Sequence, residues 1–87
     1  MQIISNSVAG SLESSDCLVS VTPSHSGLSI DIQSSVFLQF GNQIKAVVHA
    51  TATELGVTDA SISVNDKGAL DCTLKARTLT ALRRASA

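Results

Sequence analysis

Asn65-Asp66-Lys67-Gly68 leads into Ala69-Leu70-Asp71-Cys72-Thr73-Leu74-Lys75-Ala76-Arg77, and two secondary structures compete for the second segment. The first four residues are a turn signal, rich in side chains that bond their own backbone and in glycine. Behind the turn, Leu70, Cys72, Leu74 and Ala76 alternate with Asp71, Thr73, Lys75 and Arg77. A period of two is that of a half-buried strand. Ala, Leu and Lys favour helix, but the alternation and the turn outweigh propensity. The segment therefore reads as a strand, hairpinned to one in which Ile62 and Val64 alternate with Ser61, Ser63 and Asn65.

Outward from this hairpin the other elements follow. Thr78 suits the cap of a short helix over 79–85, with Leu79 and Leu82 inward and Arg83 and Arg84 near its C-terminus. Upstream, Val36, Phe37, Phe40, Ile44, Val47, Val48, Thr51 and Leu55 share one side of a helix. Asn42, Lys45, His49 and Thr53 share the other. Ser34 or Ser35 can cap its start and Gly56 its end. Leu38 lies off the stripe, a weak hint of a partner surface. Before it, Cys17, Val19 and Val21 alternate with Leu18, Ser20 and Thr22, and Pro23 closes the strand. Leu28, Ile30 and Ile32 repeat the pattern, as the expected hairpin partner. Residues 1–16 read as a flexible N-terminal segment and 17–87 as the folded domain. The expected class is α+β: a small single-domain two-layer sandwich, β-β-α-β-β-α, with a mostly antiparallel four-stranded sheet and helices on one face.

Composition narrows the function. Six basic against seven acidic residues give a net charge of −1, unlike the basic excess of a nucleic-acid binder. With no Trp or Tyr and two Phe, a stacking platform for bases is not expected either. No run approaches 18 apolar residues, and the first ten lack a basic start and an apolar stretch, so neither a membrane span nor a signal peptide is expected. Cys17 and Cys72 form no metal or redox spacing and read as buried, reduced thiols, which makes a cytoplasmic protein the default. His25 falls in a loop and His49 on a polar helix face, neither with a partner for catalysis. Asp66 and Asp71 read as turn and surface charges. No glycine-rich phosphate loop is present. Free-standing catalysis is not supported.

Serine is the unusual count, 14 of 87 residues, 11 of them within the first 35. Most fall on outward strand positions, in loops or at a helix start. Ser11-Leu-Glu-Ser-Ser-Asp16 differs, because hydroxyls on an exposed lead-in can be reached by a modifying enzyme and those in a sheet cannot.

Two stretches carry a family resemblance: Val8-Ala-Gly-Ser-Leu-Glu-Ser-Ser-Asp-Cys-Leu-Val-Ser-Val21 and Val64-Asn-Asp-Lys-Gly-Ala-Leu-Asp-Cys-Thr-Leu-Lys-Ala-Arg77. Together with Gln39-Phe40-Gly41, they resemble the acyl carrier protein, or gamma subunit, of citrate lyase, in order from about residue 8 to residue 86. Asn65 is a mild departure, where the family commonly has Asp. The resemblance implies a covalently attached 2'-(5''-phosphoribosyl)-3'-dephospho-CoA in phosphodiester linkage to the first serine of Leu-Glu-Ser-(Ser/Gly)-Asp, which is Ser14. Ser15 stands where relatives can have glycine. It further implies a transferase that attaches the group and two partners, the alpha (acyl transferase) and beta (citryl lyase) subunits. Between them acetyl and citryl thioesters pass as citrate is cleaved to acetate and oxaloacetate. A carrier needs an accessible attachment point rather than a pocket, and a tethered arm gains effective concentration at successive active sites. No base stands beside Ser14 in the sequence, so activation would come from the transferase. Glu13 and Asp16 disfavour a nearby phosphate unless the arm points away or a cation screens them. The alternatives are the equivalent subunit of malonate decarboxylase and an unmodified α+β interaction module.

Overall fold

Alternating buried and exposed side chains mark the three longest strands. The structure, a computed structural model, describes residues 1–34 and 37–86, and for 37–40 the backbone alone. The elements are β1 (Ser7–Gly10), β2 (Cys17–Pro23), β3 (Leu28–Ser34), α1 (Phe37–Glu54), β4 (Ala60–Asp66) and α2 (Asp71–Ala85). On β2 the inward Cys17, Val19 and Val21 are buried, and on β4 so are Ala60, Ile62, Val64 and Asp66. The outward positions carry the serines: Ser20, Ser61 and Ser63, with Ser29 on β3. Both helices lie on the apolar face, α1 through Ile44, Val48, Thr51 and Ala52 and α2 through Leu74, Thr78, Ala81, Leu82 and Ala85. Asn42, Lys45, His49 and Thr53 point to solvent as the helical pattern requires.

The sheet order is β1-β2-β4-β3, with β1–β2 and β2–β4 antiparallel and β3–β4 parallel. The expected class stands: four strands, mostly antiparallel, with two helices on one face. The element order is β-β-β-α-β-α, and four expectations at element level are corrected.

First, β2 and β3 are not a hairpin pair. β4 lies between them, Val19 opposite Val64 on one side and Ile32 beside Val64 on the other. Its inward row is buried throughout, whereas Leu28, Ile30 and Ile32 on β3 are only half-buried. The strand whose inward row is buried along its whole length lies between the other two. The crossover through the 18-residue α1 makes β3 and β4 parallel.

Second, residues 71–76 are not a strand. They begin α2, whose buried residues Leu74, Thr78, Ala81, Leu82 and Ala85 follow the helical period. The alternation before Leu74 is not a buried face, because Leu70, Cys72 and Ala76 are exposed. The 79–85 helix is the second half of α2. Thr78 is mid-helix and buried, its hydroxyl donating to the Leu74 carbonyl at 2.8 Å, so it caps nothing.

Third, folded structure begins before Cys17. Ser7–Gly10 pair with 18–21 of β2, Ala9 is buried, and Ile3 is buried where it bridges to Ser86. The Ile4 and Ser5 amides both donate to the Ala85 carbonyl, at 2.8 and 3.2 Å. Four short-side-chain residues are too few to show a period, so β1 had no sequence signal.

Fourth, Asp66 is buried, not a surface charge, and it accepts at 2.8 Å from Ser34, the last residue of β3. Ser35, Val36 and the side chains of Phe37, Leu38 and Phe40, to which a cap, stripe positions and an exposed site were assigned, lie outside the described residues.

Candidate functional site

Ser14 is exposed and occupies the first central position of the turn Glu13–Asp16, within the connection between β1 and β2. The turn is closed by the Asp16 amide donating to the Glu13 carbonyl at 3.2 Å. Ser15, its second central residue, has φ +65°. A positive φ at that position is the signature of a type II turn, where glycine is favoured. A Ser/Gly ambiguity at 15 therefore has a backbone reason, and the strained residue sits beside Ser14 rather than at it.

The loop is tied down at both ends. The Ser11 amide donates to the Cys17 carbonyl at 3.1 Å. Gly10 makes this closure possible, with φ +98° and no space for a side chain: a Cβ there would lie 1.9 Å from the Cys17 carbonyl oxygen. Across the loop, the Ser15 amide donates to the Lys67 carbonyl at 2.8 Å, and the Lys67 amide to the Asp16 carbonyl at 2.9 Å. The Ser14 turn is thus stapled to the β4–α2 turn by a reciprocal pair of backbone bonds.

Asp16 is the hub. Its carboxylate accepts from the Ser11 hydroxyl at 2.7 Å and from the Cys17 amide at 2.7 Å. Arg77 grips it with both Nε and Nη2 at 3.1 Å, a bidentate geometry in which both bonds are charge-assisted. The Arg77 guanidinium first, then the Ser11 hydroxyl and the Cys17 amide, hold Asp16 down at about 2, against an ordinary 3.8. Arg77 thus neutralises one of the two carboxylates that flank the Ser14–Ser15 pair. Read as strand, the segment gave no reason to bring Arg77 to Asp16. In helical register Arg77 follows Leu74 and precedes Thr78 on the sheet side of α2, and that register was the signal.

The other candidates separate cleanly. Burial first, then the neighbouring Asp16 and Asp66, pushes the Cys17 thiol up to about 11, so it is inert. Cys72 is exposed on α2, not buried, because its segment is a helix. His25 and His49 are exposed, and no group of three or more His, Cys, Asp or Glu able to hold a metal occurs among the described residues. Asp66 accepts from the Ala69 amide at 2.9 Å and so caps the turn that holds Lys67 in place. No helix among the described residues is long and apolar enough to cross a membrane.

The arrangement presents the exposed hydroxyls of Ser14 and Ser15 on a turn tied down at its base. A phosphodiester at the Ser14 oxygen fits it: the site is open, and the nearest fixed carboxylate is already matched by Arg77.

A family model described as malonate decarboxylase delta subunit, an acyl carrier protein, matches residues 4–85. The curated "Citrate lyase acyl carrier protein" of Lacticaseibacillus casei is 51% identical over 99% of this chain and 85% of its own length. Those of Streptococcus mutans and Pectobacterium atrosepticum are 54% and 51% identical over 99% of this chain. A chain from the crystal structure of a Pseudomonas malonate decarboxylase hetero-tetramer in complex with malonate has the same fold, with a TM-score of 0.81 over 98% of this chain and 89% of its own, at 22% identity. Fold, loop and relatives together define an acyl carrier protein, a subunit that serves catalysis without performing it. Within that class the chain belongs to the citrate lyase acyl carrier protein family.

Proposed function

We propose that the protein is the acyl carrier subunit of a cytoplasmic citrate lyase and that Ser14 is where a phosphoribosyl-dephospho-CoA is attached. The reading rests on identity of about half the residues to curated citrate lyase carriers along nearly the whole chain. Placement of Ser14 at the exposed tip of a stapled turn supports it. When bound, the group supplies a terminal thiol that carries the acyl unit as a thioester between the alpha and beta subunits. The chain's own task is positional. Ser14 offers the oxygen that becomes part of the phosphodiester, and the attaching transferase supplies the base. The Asp16–Arg77 pair and the bonds to Lys67 fix where the arm begins, while the remainder of the arm reaches partner active sites.

Intact mass of the protein from citrate-fermenting cells tests this. An increment equal to the prosthetic group, absent from Ser14→Ala, is the expected result; an unmodified chain in those cells sinks it. A malonate decarboxylase carrier is the second reading, favoured by the family description and the shared fold. Affinity purification from the same cells decides between them by whether the co-purified lyase turns over citrate or malonate.

A further inference from the structure

A hollow of about 490 Å³ opens beside the Ser14 turn, between α1 and the β4–α2 turn. Gln43, Ile44, Gly68, Ala69 and Leu70 line it together with two carboxylates, Asp66 and Asp71. It adjoins the attachment loop: the Ser15 amide is bonded to the Lys67 carbonyl, and the residues on either side of Lys67, Asp66 and Gly68, belong to the hollow's wall. Three features show what it suits. Its size is within the range of small-molecule sites. Part of its wall is apolar, with Ile44 buried and Leu70 left 71% exposed, the highest exposure among the large hydrophobic residues described. Its polar groups are the Asp66 carboxylate, already accepting from Ser34 and from the Ala69 amide, and a pair in which the Gln43 amide donates from Nε2 to Asp71 Oδ2 at 2.8 Å. That bond leaves the Gln43 amide one donor hydrogen and a carbonyl acceptor. A glutamine amide can pair with adenine through both at once, accepting from the exocyclic amine and donating to the adjacent ring nitrogen.

We propose that this hollow is the seat of the purine base of the nucleotide attached at Ser14, an assignment that rests on the reading of that group given above. The base is the flat, largely apolar ring nearest the attachment phosphate. Leu70 and Ile44 cover its face, and Gln43 reads its edge. Tethering gives the base an effective concentration that reaches millimolar for a short flexible linker, so a weak intrinsic affinity suffices for substantial occupancy. Seating the base near Ser14 shortens the freely moving part of the arm without immobilising the thiol end.

The test compares modified and unmodified full-length protein by NMR, with intact mass measured on the same samples. In the modified form, nuclear Overhauser contacts are expected between the adenine ring protons and the Ile44 and Leu70 methyl groups. The Gly68, Ala69 and Leu70 amides are expected to shift. Leu70→Ser should lose most of these contacts while keeping the mass increment. Fully modified protein whose adenine shows no contact to these methyls, with unshifted 68–70 amides, overturns the assignment while leaving attachment at Ser14 intact. The same result with contacts appearing only on addition of a partner subunit also overturns it, since the hollow then belongs to that partner. A chain without any increment in citrate-fermenting cells overturns attachment and base site together.

Discussion

Asp16 shows how one side chain organises the attachment loop. Its carboxylate joins Ser11, the Cys17 amide and Arg77, and each contact is stronger to the ionised form. Because the folded value is depressed to about 2 from 3.8, the stabilisation from these contacts is complete above about pH 4 and is lost as pH falls through 2. The Ser15 and Lys67 amides, which report the loop staple, should lose hydrogen-exchange protection in that window, and Asp16→Asn should abolish the pH dependence. At Gly10 the constraint is steric. Gly10→Ala combines a positive φ with a Cβ 1.9 Å from a backbone oxygen. Loss of at least about 1–3 kcal/mol of stability is expected from the backbone strain alone, measured by urea denaturation. Ser15→Gly removes strain at φ +65° without touching Ser14. It should stay within about 1 kcal/mol of wild type and retain the mass increment.

Two readings of α2 are separated by a simple substitution. Ala76 is exposed in the interior of this 15-residue helix. Proline there removes a helical hydrogen bond and clashes with the preceding turn, a cost of about 3 kcal/mol. On an edge strand with its N–H facing solvent the same change would be tolerated. Ala76→Pro should therefore lower the urea midpoint sharply and reduce the far-ultraviolet helical signal. Lys75, which meets Glu54 at 3.4 Å with both side chains at least half exposed, should matter little when changed to Ala. The helical stripe of α2 was present in the sequence at Leu74, Thr78, Ala81, Leu82 and Ala85. A seven-residue window starting at Leu70 hid it, because Leu70 and Cys72 imitate a strand face while lying in water. Leu70 is exposed for a reason local periodicity does not encode, its place at the rim of the hollow beside the attachment loop.

On the scale of the whole molecule, one core lies between the sheet and the two helices, and its centre is shared by β2, β4, α1 and α2. Leu82 is fully buried there and comes from the segment farthest along the chain. Leu82→Ala should cost about 2–5 kcal/mol, a loss calorimetry would register as a large drop in Tm. Amides of the central β4 should be the slowest to exchange, and those of the four-residue edge strand β1 among the faster. Much of this plan was legible in the sequence. Apolar alternation located β2, β3 and β4, and the long apolar stripe located α1. These are signals of short range, set by the directions successive side chains take from the backbone, and a chain states them by itself. Tertiary structure alone decided that β4 would enter between β2 and β3, that Ser7–Gly10 would close the sheet's edge, and that Arg77 would reach across 61 positions to Asp16. Those choices depend on which buried faces fit against each other once all elements compete for the same core, a quantity that no local window of residues contains.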